Sequence, residues 1–327
     1  MINLIDRNPQ LGSSAFKNSY FSRVLNPPFS IFNKLSKYLI DGKIGDFSLD
    51  KTQREIIDYI ICNFELIIVG DVQALSKILE EFDRKKWSRE FHNGKKATGF
   101  SRAITKCFNY SLFRKKNGSW LAQTIGIKSC PYCNAQYTLI LTQKGRALLQ
   151  FDHFFSKHKY PFFSLSLYNL VPCCANCNLT KSSNDLNYRT HFHPYHNSLN
   201  RVAKFYLNYD IKALDLNKLI ASEESELEII FLSLFRESED FVTRHDKIYF
   251  INEIYKNHTD VARELLVKAI LYNNHYQKAV SKIEGLFKDR DQLMRYILGH
   301  YIEENEILSR PLTKMYRDIA VQLKLIS

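Results

Sequence analysis

Two Cys-x-x-Cys pairs mark one segment of the chain as a place where a metal can bind. The first pair is Cys130 and Cys133, and the second is Cys174 and Cys177. Each pair fits on one tight turn, and four thiolates complete the tetrahedron that structural zinc prefers. Seven cysteines are too few for a disulfide scaffold in 327 residues, so the spacing predicts a structural Zn²⁺ site.

A further cysteine beside the second pair leaves one ligand open. Cys173 adjoins Cys174 and could bind the metal in its place. Cys174 is the predicted ligand because, with Cys177, it repeats the spacing of the first pair. Cys62 and Cys107 fall in helical patterns and are expected in the core.

Polar residues between and after the cysteine pairs have types that can do acid–base and metal chemistry. Asp152 and His153 follow an apolar run, Asn169 lies further along, and Asn178 and Lys181 follow the second pair. A neutral imidazole can activate water as a general base, and carboxylate and amide oxygens are hard ligands that suit Mg²⁺. A base beside a metal ion is the combination that metal-assisted hydrolysis needs.

The pattern around these residues predicts two strands and a short helix. Residues 137–142 and 147–151 are β-branched or apolar runs on either side of a turn at 143–146, which predicts a β-hairpin. Asp152 and His153 would then end the second strand. Residues 156–170 are expected to form a loop, and a helix is expected to begin near Asn178.

The segment resembles the HNH endonucleases, the ββα-metal nuclease family, in the subgroup whose core is braced by four cysteines. The resemblance rests on Asp152-His153, on Asn169-Leu170 and on Cys177-Asn178-Leu-Thr-Lys181. It is closest to the variant that carries Asn as the third signature residue. The fold that it implies is of the α+β class, mostly helical, with a central zinc-braced ββα core.

The resemblance also implies roles for individual residues. His153 resembles the general base that activates water, and Asp152 and Asn178 resemble the ligands of a catalytic divalent cation, Mg²⁺ or another. Asn169 resembles the residue that braces the loop holding the histidine. The implied activity is hydrolysis of a nucleic acid, with DNA favoured as the substrate.

Positive charge is concentrated just before the first cysteine pair. The formal net charge is +12, and residues 84–118 hold eleven Lys or Arg against Glu90 alone, which gives 11 − 1 = +10. Such clustering favours a polyanionic partner. The predicted nucleic-acid contacts are Lys85, Lys86, Lys115, Lys116, Lys157 and Lys181.

Aromatic residues alternate with these charges and have two interpretations. They can stack on bases beside phosphate-binding cations, or they can form the core faces of helices. The residues are Trp87, Phe91, Phe100, Phe108, Tyr110 and Phe113.

The chain divides by pattern into three parts. Residues 1–120 are predicted to form a helical region with the basic segment, 121–200 the nuclease core with its zinc site, and 201–327 a mainly helical region. A hairpin is expected from 204–211 and 227–235. In the first part, 52–55 is predicted to be a capping box that starts a helix running to Gly70, and Asp71 is expected to cap the next helix.

The sequence favours a protein of the cytoplasm. The first residues lack the apolar centre of a signal peptide, and no run approaches the length that spans a membrane. We therefore expect a reducing compartment, where thiolates stay available for metal, and no membrane partner.

The layout after about residue 100 is similar to that of HNH proteins from prokaryotic anti-phage defence loci, notably the nuclease subunit of Septu-type systems and related retron modules. The similarity includes residues 254–260, residues 310–314 and a closing helix. Those proteins work with an ABC-type or SMC-like ATPase. The resemblance therefore implies an ATPase partner for this chain.

Two other functions would use the same cysteines. One is a non-catalytic zinc module that binds nucleic acid, and the other is a structural zinc protein whose helices bind another protein. Neither gives a reason for Asp152, His153 and Asn178, so a metal-dependent endonuclease is the predicted function. The tract with His191, His193 and His196 has two interpretations, a metal-recruiting segment and a surface loop that closes the domain.

Overall fold

The structure is a computed structural model that describes most of the chain. The described residues are 1–45, 47–94, 96–141, 143, 145–182, 184, 186–210, 216–220, 227–272, 274–281 and 286–326. Helices dominate these residues, and the strands form small antiparallel pairs. The predicted α+β class, mostly helical, is confirmed.

Most helices before residue 200 precede the first cysteine pair. They are α1 (Leu4–Arg7), α2 (Ser14–Leu25), α3 (Ile31–Asp41), α4 (Lys51–Cys62), α5 (Phe64–Val69), α6 (Val72–Arg84), α7 (Ser88–Phe91), α8 (Gly99–Phe108), α9 (Tyr110–Ile125) and α10 (Ala175–Lys181). Short 3-10 helices lie at Pro9–Gly12, Pro161–Phe163 and Leu167–Asn169.

The chain after residue 200 is also mainly helical. Its α-helices are α11 (Leu216–Ile220), α12 (Glu239–Tyr249), α13 (Ile251–Tyr255), α14 (Thr259–Leu271), α15 (Asn274–Ser281), α16 (Arg290–Leu298) and α17 (Thr313–Gln322). Its 3-10 helices are Arg236–Ser238, Lys256–His258 and Glu304–Ser309, and one more, Leu199–Arg201, leads into this part. Within the described ranges, no helix combines the length and the apolar content needed to cross a membrane.

The strands pair in sequence order, and every pair is antiparallel. The pairs are β1 (Lys43–Ile44) with β2 (Phe47–Ser48), β3 (His92–Asn93) with β4 (Lys96–Ala97), β5 (Ile140–Leu141) with β6 (Arg146–Ala147), β7 (Gln150–His153) with β8 (Leu170–Cys173), and β9 (Ala203–Asn208) with β10 (Glu228–Ser233).

The chain gathers into two compact units, each built from separate stretches of sequence. One unit contains Met1–Arg7, Ile127–Thr138 and Asn197–Ser327, and the other contains Asn8–Gly126 and Leu139–His196. The second is called the site unit below, because it holds the basic segment together with Asp152, His153, Asn169 and Asn178.

The strand that carries Asp152 and His153 has a different partner from the predicted one. β5 and β6 form a short hairpin near the predicted place, although residues 142 and 144 of its turn lie outside the described residues. β7 pairs with β8 instead, which sets His153 opposite Leu170. β8 contains Pro172, which is tolerated because a two-stranded sheet has only edge strands. The order from β7 onward is therefore strand, strand, helix, with α10 last.

Polar caps start the helices of the first part. Asp50 and Gln53 form the capping box of α4, with the Gln53 backbone N–H donating to the Asp50 carboxylate at 2.8 Å. The box predicted at 52–55 is therefore wrong by two residues, and α4 and α5 replace the single helix predicted there. Asp71 caps α6 as predicted, accepting a hydrogen bond from the Ala74 backbone N–H at 2.8 Å.

Helices α8 and α9 carry much of the basic segment, and their ends are well defined. Thr98 caps α8 by accepting from the Ser101 backbone N–H at 3.0 Å. Asn109 lies in the left-handed region with φ 42 and accepts from the Leu112 backbone N–H at 3.2 Å. Asn adopts that region more easily than most residues, so one residue ends α8 and caps α9.

The aromatic residues of the basic segment form core rather than a stacking surface. Tyr110 is half-buried. The other five are at most 5% exposed, so the base-stacking interpretation is wrong for them. These five are Trp87, Phe91, Phe100, Phe108 and Phe113.

The hairpin predicted after residue 200 is confirmed as β9 and β10. Residues 211–215 and 221–226, between its strands, lie outside the described residues. The free edge of β9 is satisfied by α17, where Asp318 accepts from the Phe205 backbone N–H at 2.9 Å and Gln322 bonds both backbone groups of Leu207. Side chains thus replace a third strand.

Candidate active site and cysteine cluster

The four cysteines predicted to bind zinc come together. The sulfur atoms of Cys130, Cys133, Cys174 and Cys177 all lie within 4.8 Å of one another, and all four residues are buried. Four close, buried thiols form a donor set that could hold a tetrahedral metal ion such as zinc. The cluster contains Cys174, the predicted member of the second pair, and not Cys173.

Each cysteine pair lies on a turn that supports the sulfur atoms. The Ala135 backbone N–H donates to Cys133 Sγ at 3.4 Å, and the Cys177 backbone N–H donates to Cys174 Sγ at 3.4 Å. Hydrogen bonds to sulfur favour the thiolate that binds metal. Cys174 is also the residue that caps α10.

The two cysteines expected in the core differ in their burial. Cys107 is buried, as predicted, and burial raises the pKa of its thiol to about 12. Cys62 is exposed, so its prediction is wrong. The helical pattern identified its helix but not the face on which it lies.

His153 lies buried at the end of β7 in a defined tautomer. Its Nε2 is 3.0 Å from the carbonyl oxygen of Ser164. A carbonyl can only accept, so Nε2 carries the proton and Nδ1 keeps the lone pair. Burial, followed by the charge of Lys157, lowers the pKa of His153 to about 3. The imidazole is therefore neutral at pH 7, the form that can accept a proton.

Tyr110 and Lys157 pack beside the His153 ring. The Tyr110 ring meets it edge to face, with centroids 4.6 Å apart at 72°. Lys157 Nζ lies 5.0 Å over the Tyr110 ring. These contacts fix the imidazole plane and place one cation next to it. The sequence did not identify Ser164 as a site residue, because it acts through its backbone carbonyl.

Asn169 fastens both sides of the loop that follows β7. Its side-chain oxygen accepts from the Phe155 backbone N–H at 2.6 Å, and its amide donates to the carbonyls of Phe155 and Phe163 at 3.1 and 3.0 Å. Three of the four hydrogen-bonding positions that the amide offers are used, and the residue is fully buried. The loop bracing implied by the resemblance has its geometric counterpart here.

Asp152 is paired with a buried lysine. Lys181 Nζ lies 2.9 Å from Asp152 Oδ1 and donates to the His153 carbonyl at 2.6 Å. Both side chains are almost inaccessible, at 2% and 4% exposed. The prediction that Lys181 contacts nucleic acid is therefore corrected: its ammonium ties α10 to the end of β7.

Asn178 lies on α10, three residues before Lys181, and is half-buried. Residues three apart are neighbours on a helix, so Asn178 lies next to Lys181, which contacts the end of β7. One carboxylate and one amide are hard donors that suit a cation keeping most of its water, as Mg²⁺ does. Besides the cysteine cluster, the described residues contain no group of three or more His, Cys, Asp or Glu side chains close enough together to hold a metal ion.

The predicted phosphate-contacting lysines of the basic segment have different surroundings. Lys85 lies 4.3 Å over the Trp87 ring and 3.6 Å from Glu81, so part of its charge is compensated. All four are exposed, and among the described residues no such contact is found for Lys86, Lys115 or Lys116.

The histidine tract does not form a metal site among the described residues. His193 is fully buried, its ring lies 4.0 Å from that of Phe154, and its Nδ1 accepts from the Tyr195 backbone N–H at 3.2 Å. The surface-loop interpretation is wrong for His193, which packs against Phe154 at the start of the loop that follows β7. His191 and His196 are half-buried.

Replacing Lys181 with Met is expected to destabilise the site unit by about 3–5 kcal/mol, because it leaves Asp152 as a buried charge without its partner. Adding Asp152→Leu should recover much of that loss, since the uncompensated charge is then gone. Denaturant unfolding of the full chain measures both, with Lys116→Met on the surface as the matched control. Equal midpoints for Lys181→Met and the control would contradict the ion pair.

Comparisons with known proteins add no relative. A scan against protein-family models, a search of curated proteins and a search of solved structures each found no match. The functional argument therefore rests on the residues of this chain.

Proposed function

We propose that the protein is a metal-dependent HNH-type endonuclease that hydrolyses phosphodiester bonds in nucleic acid, with DNA as the favoured substrate. The observation that carries the proposal is the neutral His153, with Nε2 engaged by the Ser164 carbonyl and Nδ1 left as the basic atom. Supporting it, β7, β8 and α10 follow one another as strand, strand and helix. The HNH resemblance implies the same order around an Asp-His pair.

In the proposed reaction, His153 Nδ1 takes a proton from water while the water oxygen attacks phosphorus. The bond from phosphorus to the leaving oxygen breaks, and that oxygen is protonated by solvent. A divalent cation such as Mg²⁺, held by Asp152 and Asn178, would supply neutralising charge at the phosphate oxygens. Asn169 keeps the loop closed, and Ser164 fixes the tautomer, so the base needs no reorganisation during attack.

The cysteine cluster has a structural part in this proposal. Cys130, Cys133, Cys174 and Cys177 would hold Zn²⁺ with four thiolates and so leave it a structural ion. It would stabilise α10, which begins at the second pair and carries Asn178 and Lys181. The catalytic cation would be a separate ion.

The proposal also includes a partner and a biological setting. The resemblance to nuclease subunits of anti-phage defence loci implies an ABC-type or SMC-like ATPase that recruits or licenses this chain in the cytoplasm. Cleavage by the isolated chain is accordingly expected to be slow. Its assay needs excess protein over substrate.

We expect excess protein to cut supercoiled plasmid when Mg²⁺, Mn²⁺ or Ni²⁺ is added, and not after a chelator. Asp152→Asn should raise the Mg²⁺ concentration needed by about tenfold or more, because it removes a charged ligand. The variant also removes the charge partner of Lys181, so its unfolding midpoint is measured on the same samples. Gel assays with plasmid and with RNA measure this, with the exposed Asp58→Asn as control. Binding of both nucleic acids without any cation-dependent cleavage would favour the non-catalytic module instead.

A further inference from the structure

Two clefts in the site unit hold cations to which the chemistry above assigns no role: Arg102, Lys106, Arg114, Lys115 and Arg146. The first has a volume of about 450 Å³ and is lined by Arg102, Lys106 and Lys157, together with His92 and His158. None of its described lining residues is acidic. Arg102 is held in place by a 2.7 Å hydrogen bond to the Ala97 carbonyl, so part of the charge is pre-positioned.

The second cleft has a volume of about 480 Å³ and lies between α9 and the β5–β6 hairpin. Its cations are Arg114, Lys115 and Arg146, and its described lining again contains no acidic residue. Arg114 donates to the Gln150 side chain at 2.8 Å and to the Leu149 carbonyl at 3.0 Å. The start of β7 thus orients a cation of this cleft.

The two clefts meet next to the proposed catalytic histidine. Ser111 lines both of them, and its neighbour Tyr110 lines the first. The Tyr110 ring contacts the His153 ring edge to face. Lys157 lies over the same tyrosine from the side of the first cleft. The junction of the clefts therefore lies beside Tyr110, whose ring contacts His153.

We propose that one nucleic-acid strand runs through both clefts, so that its backbone is held on both sides of the phosphate placed at the Ser111–Tyr110 junction. The proposal rests on the proposed function for the identity of that phosphate. A polyanion is the occupant that fits, because cations from separate elements line each cleft without compensating carboxylates. Five of the six aromatic residues of the basic segment are buried, and only Tyr110 among them lines a cleft, so recognition would be mainly through the backbone rather than the bases.

This arrangement assigns separate roles to residues that lie close in sequence. Arg102 and Lys106 project from one turn of α8 into the first cleft, while Lys115 on α9 and Arg146 on β6 line the second. Lys85 and Lys86 line neither cleft. The strand contacts are thus expected from α8, α9 and the hairpin, and not from the whole basic segment.

The binding test uses fluorescent single-stranded DNA in the His153→Gln background, which is designed not to cut. Arg102→Ala/Lys106→Ala and Lys115→Ala/Arg146→Ala are each expected to weaken binding by about tenfold and to reduce the salt slope by about 1.4, the value for two lost contacts to a single strand. The control Lys51→Ala/Lys77→Ala removes two exposed lysines that line neither cleft. RNA of the same sequence and duplex DNA are run in parallel to identify the preferred form.

A second measurement assigns the clefts to opposite sides of the cut bond. A substrate shortened on one side of that bond should bind the parent protein more weakly than the full-length substrate does. The variant of the cleft that holds the missing side should bind the shortened and the full-length substrate equally well. Cleft variants that bind like the control would overturn the proposal, even if the parent protein cuts normally. Cleft variants that lose binding while no protein cuts would leave the clefts supported and remove the nuclease proposal instead.

Discussion

Replacing His153 with Gln is expected to lower the cleavage rate by about 10²–10⁴-fold, the range for loss of a general base. The Gln amide can still donate to the Ser164 carbonyl, as His153 Nε2 does at 3.0 Å. It cannot take a proton at the position of Nδ1. Folding, zinc content and DNA affinity should therefore stay close to those of the parent, so the loss would appear in the chemical step alone.

The measurement is single-turnover cleavage of a labelled oligonucleotide, with binding and zinc content determined on the same samples. His153→Ala gives a second variant without the hydrogen bond to Ser164, and should lose at least as much activity. His191→Gln, outside the site, is the matched control, and a mock purification accounts for contaminating nuclease. Cleavage by His153→Gln at the control rate would mean that the imidazole is not the base.

Replacing Cys130 with Ser is expected to remove the metal and to destabilise the protein strongly. The parent should contain about one tightly bound Zn²⁺ per chain, as four thiolates hold one ion. Binding of a structural zinc contributes directly to folding, so the melting temperature of the variant should fall by about 10 °C or more. Elemental analysis and thermal unfolding measure the two effects.

Two other cysteine variants make that test specific. Cys173→Ser alters a buried cysteine next to the cluster, and Cys62→Ser alters an exposed one on α4. Both should keep zinc, since neither sulfur belongs to the four that lie within 4.8 Å of one another. If Cys130→Ser folds, melts and retains zinc like Cys62→Ser, the cluster does not hold the metal.

Local spacing was enough to predict the cysteine cluster. Cys130 with Cys133 and Cys174 with Cys177 are each fixed by a short turn, and turn geometry depends on a few neighbouring residues. The same locality explains why the Asp71 cap and the β9–β10 hairpin were predicted correctly. The basic segment could also be identified, because the positions of Lys and Arg along the chain are read directly from the sequence.

Pairing across long separations was not predictable in the same way. The apolar run before Asp152 was predicted to pair with residues 137–142, because a turn at 143–146 separates the two runs. Instead β7 pairs with β8, which contains Pro172. Proline in a short run argues against a strand unless the strand is known to lie at an edge. That β8 is an edge strand paired with β7 follows only from the tertiary structure. There Asn169 holds the loop between the two strands by hydrogen bonds to Phe155 and Phe163.

The sequence by itself determined which groups this protein can use: four thiols at metal-binding spacing, an Asp-His pair, an amide on the following helix and a concentrated positive charge. Only the tertiary structure decided what each group faces. It buried Lys181 against Asp152, gave His153 its tautomer through Ser164, and turned the aromatic residues of the basic segment inward while its cations lined two clefts. The physical reason is that burial, hydrogen-bond partners and pKa depend on atoms brought together by folding, whereas residue type and spacing do not.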